Sequence, residues 1–315
     1  MIKGFITILA AGAAVAASSW TAMADSKPLL GLVSISANEA NNQRFIQGAT
    51  KAATAMGWDV SVIDAAGSAD QANAAIQNLV QRGAKAVIDL VFPVSSLGAG
   101  LNAAKAANIP VATWGGGLGA GVVATDGAGG PLAQPITDMI VKDLGGKGAI
   151  LALTYHTGQV CREREEVFDK IVAKSPDIKV TKNEVRIPGF FQDGAQYATA
   201  WLASHPANSG PLAIWGCWDD PAIGAISSLR QQARTDVKVY GENGNAQALA
   251  AIKGGYMTAT AWQDSFTEGQ RLVETMSEAM KAGTSWQPKE VVVPPVIVTK
   301  ANVDAFIAEH PEATR

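Results

Sequence analysis

LLGLVSISANEANNQRFIQGATKAATAMGWDVSVIDA, residues 29–65, decides the fold. Leu29 to Ile35 is a short apolar run of strand length. From 41 to 57 the period changes: Phe45, Ile46, Ala49, Ala52, Ala53 and Met56 recur at three- and four-residue steps, which places them on one helical face. Gly57 stands where the C-terminus of that helix needs a cap. WDVSVIDA at 58–65 then returns to strand. The unit is therefore strand, helix, strand.

Outward from this unit the alternation continues. A second helix over 69–83 is carried by Ala72, Ala75, Ile76, Leu79 and Val80 and ends at Gly83. AVIDLVF (86–92), PVATW (110–114), GAILALT (148–154), PLAIW (211–215) and VKVYG (237–241) read as further strands. Right-handed crossovers turn such a chain into mainly parallel sheets with helices on both faces, so the fold class is α/β and doubly wound. A chain of 315 residues exceeds the usual size of one core. The alternation also runs longer than one strongly twisted open sheet accommodates. Two lobes are expected, with the small, flexible TDGAGG (125–130) as a crossing between them.

Composition excludes several functions. Hydrophobic residues at 48% with 17% charged describe a globular interior rather than a disordered chain. Twenty-five Lys and Arg against 28 Asp and Glu leave no basic excess for gripping a phosphate backbone, so nucleic acid is not an expected partner. The first 24 residues read as a cleaved secretory signal: Lys3 supplies the positive start, Phe5 to Ala17 the apolar stretch, and Ala22-Met23-Ala24 the small residues before a cut at Asp25. The periplasm is the expected compartment. There Cys161 and Cys217 could pair, the alternative being two buried free thiols.

Neither a metal site nor a cofactor is expected, because His156, His205 and His310 are scattered and lack metal-ligand spacing. The glycine-rich GGGLGAG (115–121) is not followed by a Lys-Ser/Thr pair and does not sit after the first strand, which sets aside a nucleotide loop. No nucleophile, base or paired carboxylates stand at a working spacing, so no catalytic residue is assigned.

In open α/β sheets ligands bind outside the carboxyl ends of the strands. The residues at those ends include SANEANN (36–42), Trp114-Gly115-Gly116, GCWDD (216–220), Glu242-Asn243-Gly244 and Trp262-Gln263-Asp264. Amides and carboxylates fork onto hydroxyls and indoles stack on sugar faces, so this is the composition of a cleft for a small polar molecule.

Four passages sharpen that reading: GLVSISANEANNQRFIQGATKAATAMGWDV (31–60), AANIPVATW (106–114), VCREREEVFDKIV (160–172) and VKVYGENGNAQALAAIKGGYMTATAWQD (237–264). In their order and spacing the chain resembles the type I periplasmic sugar-binding proteins of ABC importers, the ribose- and galactose-binding type. The resemblance implies two doubly wound lobes joined by a three-segment hinge. It divides the chain into a signal peptide at 1–24, a first lobe of 25–127 plus about 258–288, and a second lobe of 128–257 plus about 289–315. It implies ligand contacts at Asn41, Asn42, Trp114, Gly115, Arg164, Trp218, Asp219, Asn243 and Gln263, and it sets Cys161 and Cys217 at the ends of two second-lobe strands, where a disulfide would hold the ligand-bearing loops in register. The implied partners are a sugar, polyol or similar small polar ligand and a membrane permease, with the receptor itself a monomer. A sensor kinase or chemoreceptor is the alternative partner.

The departures from the family pattern are as informative. Where relatives place an Asp-Arg clamp after Ile-Pro-Val, this chain has Thr113-Trp114-Gly115, and Asn41-Asn42 stand where aromatic residues are common. Trp114, Trp218 and Trp262 with Glu39, Asp219, Asp220 and Glu242 suggest a charged or modified ligand as an alternative. Arg164→Ala and Gln263→Ala are expected to weaken binding while leaving thermal stability nearly unchanged.

Overall fold

A computed structural model describes residues 1, 27–127 and 129–314. Apart from Met1, the expected signal peptide lies outside the described residues.

The chain begins with β1 (Leu29–Ser34), α1 (Ala40–Ala55), β2 (Asp59–Asp64), α2 (Ala69–Gln81), β3 (Ala86–Leu90), α3 (Gly98–Ala106), β4 (Val111–Trp114) and β5 (Val122–Asp126). These strands lie parallel in the order β2-β1-β3-β4-β5. Both faces are covered, which is why β3 is buried at every position and reads as an apolar run, broken only by the buried Asp89, rather than an alternating one. The helices start where the sequence supplies caps: Glu39 accepts from the Asn42 N–H at 2.8 Å and Ser68 from the Gln71 N–H at 3.3 Å. Gly57 and Gly83 follow α1 and α2 with φ of 79° and 77°, the left-handed turn that ends a helix.

The chain then crosses to a second sheet. α4 (Gly129–Asp143), β6 (Lys147–Thr154), α5 (Gln159–Val172), β7 (Asp177–Glu184), α6 (Phe190–Ser204), β8 (Leu212–Gly216), α7 (Asp219–Gln231), β9 (Val237–Asn243), α8 (Ala246–Lys253) and β10 (Ala259–Trp262) repeat the pattern, with strand order β7-β6-β8-β9-β10. A return crossing brings α9 (Ser265–Ala282) back to pack on α1 and adds β11 (Lys289–Glu290) beside β5. A last crossing leads to β12 (Val296–Thr299) and α10 (Val303–Glu309).

β12 runs antiparallel to β10 while the other described strand pairs are parallel, in keeping with sheets expected to be mainly parallel. One detail sharpens the expected lobe bounds: β10 pairs with β9, so the second crossing falls after Trp262 rather than near 258, while β11 pairs with β5 and the last crossing follows Glu290, close to the expected 289. The cause is hydrogen bonding: Ala259 to Trp262 register against Tyr240 to Asn243 and complete the second sheet before the chain leaves it.

Both lobes bring one helix pair into unusually close contact by the same device. A Cβ on Gly48 of α1 would strike the Phe266 carbonyl, and one on Gly269 of α9 would strike that of Phe45. In the second lobe Gly194 of α6 faces the Pro221 carbonyl and Gly224 of α7 faces that of Phe191. Glycine lets backbone meet backbone at these crossings. In the first lobe this seats Phe45, Leu272 and Met276 against Leu32, Ile88 and Trp114.

Candidate functional site

The carboxyl ends of both sheets face one another, and between them lies a cavity of about 60 Å³. That is several times the roughly 10–15 Å³ that a single ordered water needs, so the space admits a small polar molecule.

From the first lobe the loop after β1 and the first turn of α1 provide Ser36, Glu39, Asn41 and Asn42. Asn42 is tied back to its own loop, its Nδ2 donating to the Ser36 carbonyl at 2.8 Å. Trp114, last residue of β4, lines the cavity while its ring stacks on Phe45 with centroids 4.7 Å apart. Its indole N–H donates to Glu268 Oε2 at 2.7 Å.

From the second lobe come Tyr155, Arg164, Trp218 and Asn243. Arg164 is 2% exposed, forms an ion pair with Glu242 at 3.0 Å, and donates to the Cys217 carbonyl at 2.6 Å and to Gln263 Oε1 at 3.3 Å. Glu242 also accepts from the Trp215 indole at 3.1 Å. Trp218 packs edge-on against Tyr155 and Phe190. Cys161 and Cys217 are joined in a disulfide, their Cα atoms 5.4 Å apart.

Gln263 stands at the return crossing and joins the two walls. Its Oε1 accepts from Asn41 at 3.2 Å as well as from Arg164, and its Nε2 donates to Glu268 at 2.8 Å. Arg44 of α1 reaches over to the second lobe, donating to the carbonyls of Asn243 at 2.8 Å and Gly244 at 3.3 Å. The Gln159 N–H donates to the Val91 carbonyl at 3.1 Å. The lobes are therefore clasped around the cavity.

The acids behind the walls are displaced from their ordinary range chiefly by burial. Glu242 is pushed up to about 7 despite the Arg164 charge, and Glu268 to about 8, with Asp126 adding repulsion and the Trp114 and Gln263 N–H groups opposing it. Asp219 is pushed up to about 7 and Asp220 to about 8.

Of the nine expected contacts, Asn41, Asn42, Trp114, Arg164, Trp218, Asn243 and Gln263 meet at the cavity. Gly115 does not line it; a Cβ there would strike Val160, so this glycine lets the second lobe approach β4. Asp219 does not line it either. Its carboxyl accepts from the Asn245 N–H at 2.8 Å and the Thr260 hydroxyl at 2.7 Å, fastening α7 to the β9–α8 turn and to β10. Asp220 likewise takes the Asn245 amide, and Trp262 packs away from the cavity against Phe306 and His310. Of the acids weighed for a charged ligand, Glu39 alone lines the cavity. Sequence reading left Glu39 out of the contact set, although its place between β1 and α1 was signal enough. Ile187 was also missed, because it follows β7, an edge strand whose mostly exposed, charged sequence hides its period.

The expectation that Arg164→Ala spares stability does not survive this geometry. Removing the guanidinium strands the carboxyl of Glu242, which is fully buried.

Two doubly wound lobes clasped over a cavity that both of them line define a cleft receptor for a small solute. The chain belongs to the periplasmic binding protein domain family, which it matches over residues 30–285. It is 30% identical over 262 residues to the xylitol-binding protein of Mycolicibacterium smegmatis, an alignment covering 80% of this chain and 70% of that one. It is 29% identical over 293 residues to the ribose import binding protein RbsB of Escherichia coli, covering 89% and 93%. In fold it is similar to an ABC transporter solute binding protein from Agrobacterium vitis crystallised with allitol, with a TM-score of 0.82, 21% identity, and coverage of 90% and 99%.

Proposed function

We propose that this protein captures a small sugar or polyol between its lobes and delivers it to the permease of an ABC importer. The observation that carries the proposal is the single cavity wall assembled from both lobes, with Asn41 on one side, Arg164 and Asn243 on the other, and Gln263 at the crossing. A ligand favours the closed form only through contacts it makes with both lobes at once. The relatives named for xylitol and ribose support a ligand of the pentose or pentitol class. The ligand contacts are Asn41, Asn42, Trp114, Arg164, Trp218, Asn243 and Gln263. The protein holds its ligand without converting it and acts as a monomer. The first lobe comprises residues 25 to about 127 and about 263–290, the second the remainder, and the N-terminal 24 residues direct export to the periplasm. Among the described residues no helix is long and apolar enough to cross a membrane.

A thermal-shift screen of residues 25–315 against pentoses, hexoses, alditols and amino acids tests the reading. A ligand at 100 times its dissociation constant stabilises by about 2.7 kcal/mol. Stabilisation by a sugar or alditol is the expected result, and stabilisation by amino acids alone would overturn it.

A further inference from the structure

Two side-chain oxygens of cavity-lining residues accept no hydrogen bond from the protein: Glu39 Oε1 on the first lobe and Asn243 Oδ1 on the second. Each residue is only 6% exposed. The other Glu39 oxygen takes the Asn42 N–H as the cap of α1, and among the described residues no cationic side chain forms an ion pair with this carboxylate. Burial pushes its pKa up, while the Asn42 and Asn41 N–H groups and the charges of Arg44 and Arg164 pull it back toward the ionised form. The terminal nitrogens of Arg44 are used on Asn41 and the Asn243 and Gly244 carbonyls, and Arg164 is used on Glu242, Cys217 and Gln263; the Arg44 Nε is a buried donor without a partner, and so is the Trp218 indole N–H, open to a hydroxyl of the ligand. Asn243 holds its place at a φ of 102°, a conformation that non-glycine residues adopt at a cost and that gathers at ligand sites.

An ionised carboxylate only accepts hydrogen bonds, and burying one without a partner charge is expensive. The wall thus offers a carboxyl oxygen and an amide oxygen that lack partners, and an arriving ammonium would itself favour the ionised form of Glu39; Trp114, Trp218 and Tyr155 line the same wall, and aromatic rings also attract a cation. We propose that the ligand is a polyhydroxy compound bearing a protonated primary amine, an amino sugar or amino alditol, whose ammonium donates to Glu39 Oε1 while another donor of the ligand meets Asn243 Oδ1. This rests on the sugar-receptor reading and narrows it.

The test is calorimetric binding at pH 7.5 with matched pairs, xylitol against 1-amino-1-deoxyxylitol and glucose against glucosamine. For the pair that fits, the amine should bind at least tenfold more tightly than its neutral partner. Glu39→Gln should abolish that preference, and N-acetylation of the amine, which removes the charge without touching the protein, should do the same. Equal or tighter binding of the neutral partner would overturn the amine proposal and leave the sugar-receptor reading standing. A preference that persists in Glu39→Gln or after N-acetylation would also overturn it. Failure of every amine and every neutral sugar or alditol to bind would overturn both.

Discussion

On the second-lobe side of the cleft the wall is fixed by a covalent bond between Cys161 and Cys217, a buried ion pair between Arg164 and Glu242, and the stack of Trp215 on Phe168 at 4.5 Å. On the first-lobe side Glu39, Asn41 and Asn42 are held by hydrogen bonds within one loop and one helical turn. The difference separates two tasks that one binding site must combine. The ties that fix the second wall all run within its own lobe. The first wall owes part of its order to partners across the cleft, since the amide nitrogen of Asn41 is used on Gln263 and Arg44 reaches the Asn243 carbonyl. Substitutions in the second wall should therefore cost stability first, and those in the first wall should cost affinity and closure.

The largest expected effect is that of Arg164→Ala. Stranding the Glu242 carboxylate should lower unfolding free energy by about 3–5 kcal/mol in urea titrations at pH 8, and binding should vanish. Arg164 holds Glu242 down to about 7, so its removal lets burial raise that carboxyl further, and the loss should shrink as pH falls toward 5, where the orphaned acid takes a proton. An Arg164→Ala protein as stable as wild type at pH 8 would erase the distinction between the walls. Next comes Cys161→Ser, which opens a loop with a sequence separation of 56 and should cost about 4 kcal/mol on the chain-entropy estimate. Denaturant titration with and without a reducing agent checks it, and an unchanged midpoint would remove the disulfide from the account.

A third effect sharpens the comparison through pH. Asp219, Asp220 and Glu242 in the second lobe, and Asp126 and Glu268 near the crossing, have folded pKa values of about 7 to 8. Between the ordinary carboxyl range and those values the folded chain binds more protons than the unfolded one, so stability is fully present at low pH and declines as pH rises toward 8. The lowered pKa values of Asp193 and Asp236, each paired with an arginine, act in the opposite sense, and their contribution is lost only as pH falls below about 4. Melting temperature should thus peak near pH 5 and fall by pH 8, and Glu242→Gln should flatten that fall. A melting temperature that rises from pH 5 to 8 would contradict the burial of these acids. The smallest effect belongs to the first wall. Asn41→Ala removes one hydrogen bond to Gln263 and one to Arg44, about 1 kcal/mol each, and should weaken ligand binding roughly five- to thirtyfold with melting nearly unchanged. Calorimetry paired with a thermal melt distinguishes this from a folding defect.

The repeating strand-helix unit was legible because both sheets are covered on both faces, which turns strands into unbroken apolar runs and helices into three- and four-residue periods. β5, β7, β11 and β12 were not read as strands from the sequence. β7 is an exposed edge of alternating charges, and β11 is a two-residue strand that exists only because β5 offers it a free edge. At the site, the rule that ligands sit beyond strand ends brought most of the expected residues to one cavity. It failed for Asp219 and Trp262 because position after a strand does not reveal which side of the turn a side chain takes. Asp219 turns toward Thr260 and Asn245, and Trp262 toward Phe306.

The three crossings also govern how the newborn chain can fold. The apolar face of α1, carrying Phe45, Ala49, Ala52 and Ala53, is closed by α9, whose first residue is Ser265. At roughly 5–20 residues per second, synthesis leaves that face without its partner for about 10–40 seconds. The second sheet, by contrast, has its five parallel strands in hand once Trp262 is made. The first helix of the lobe that begins the sequence is therefore the stretch most exposed to premature association until the last sixth of the chain arrives, while the second lobe then awaits only β12 and α10 at its edge.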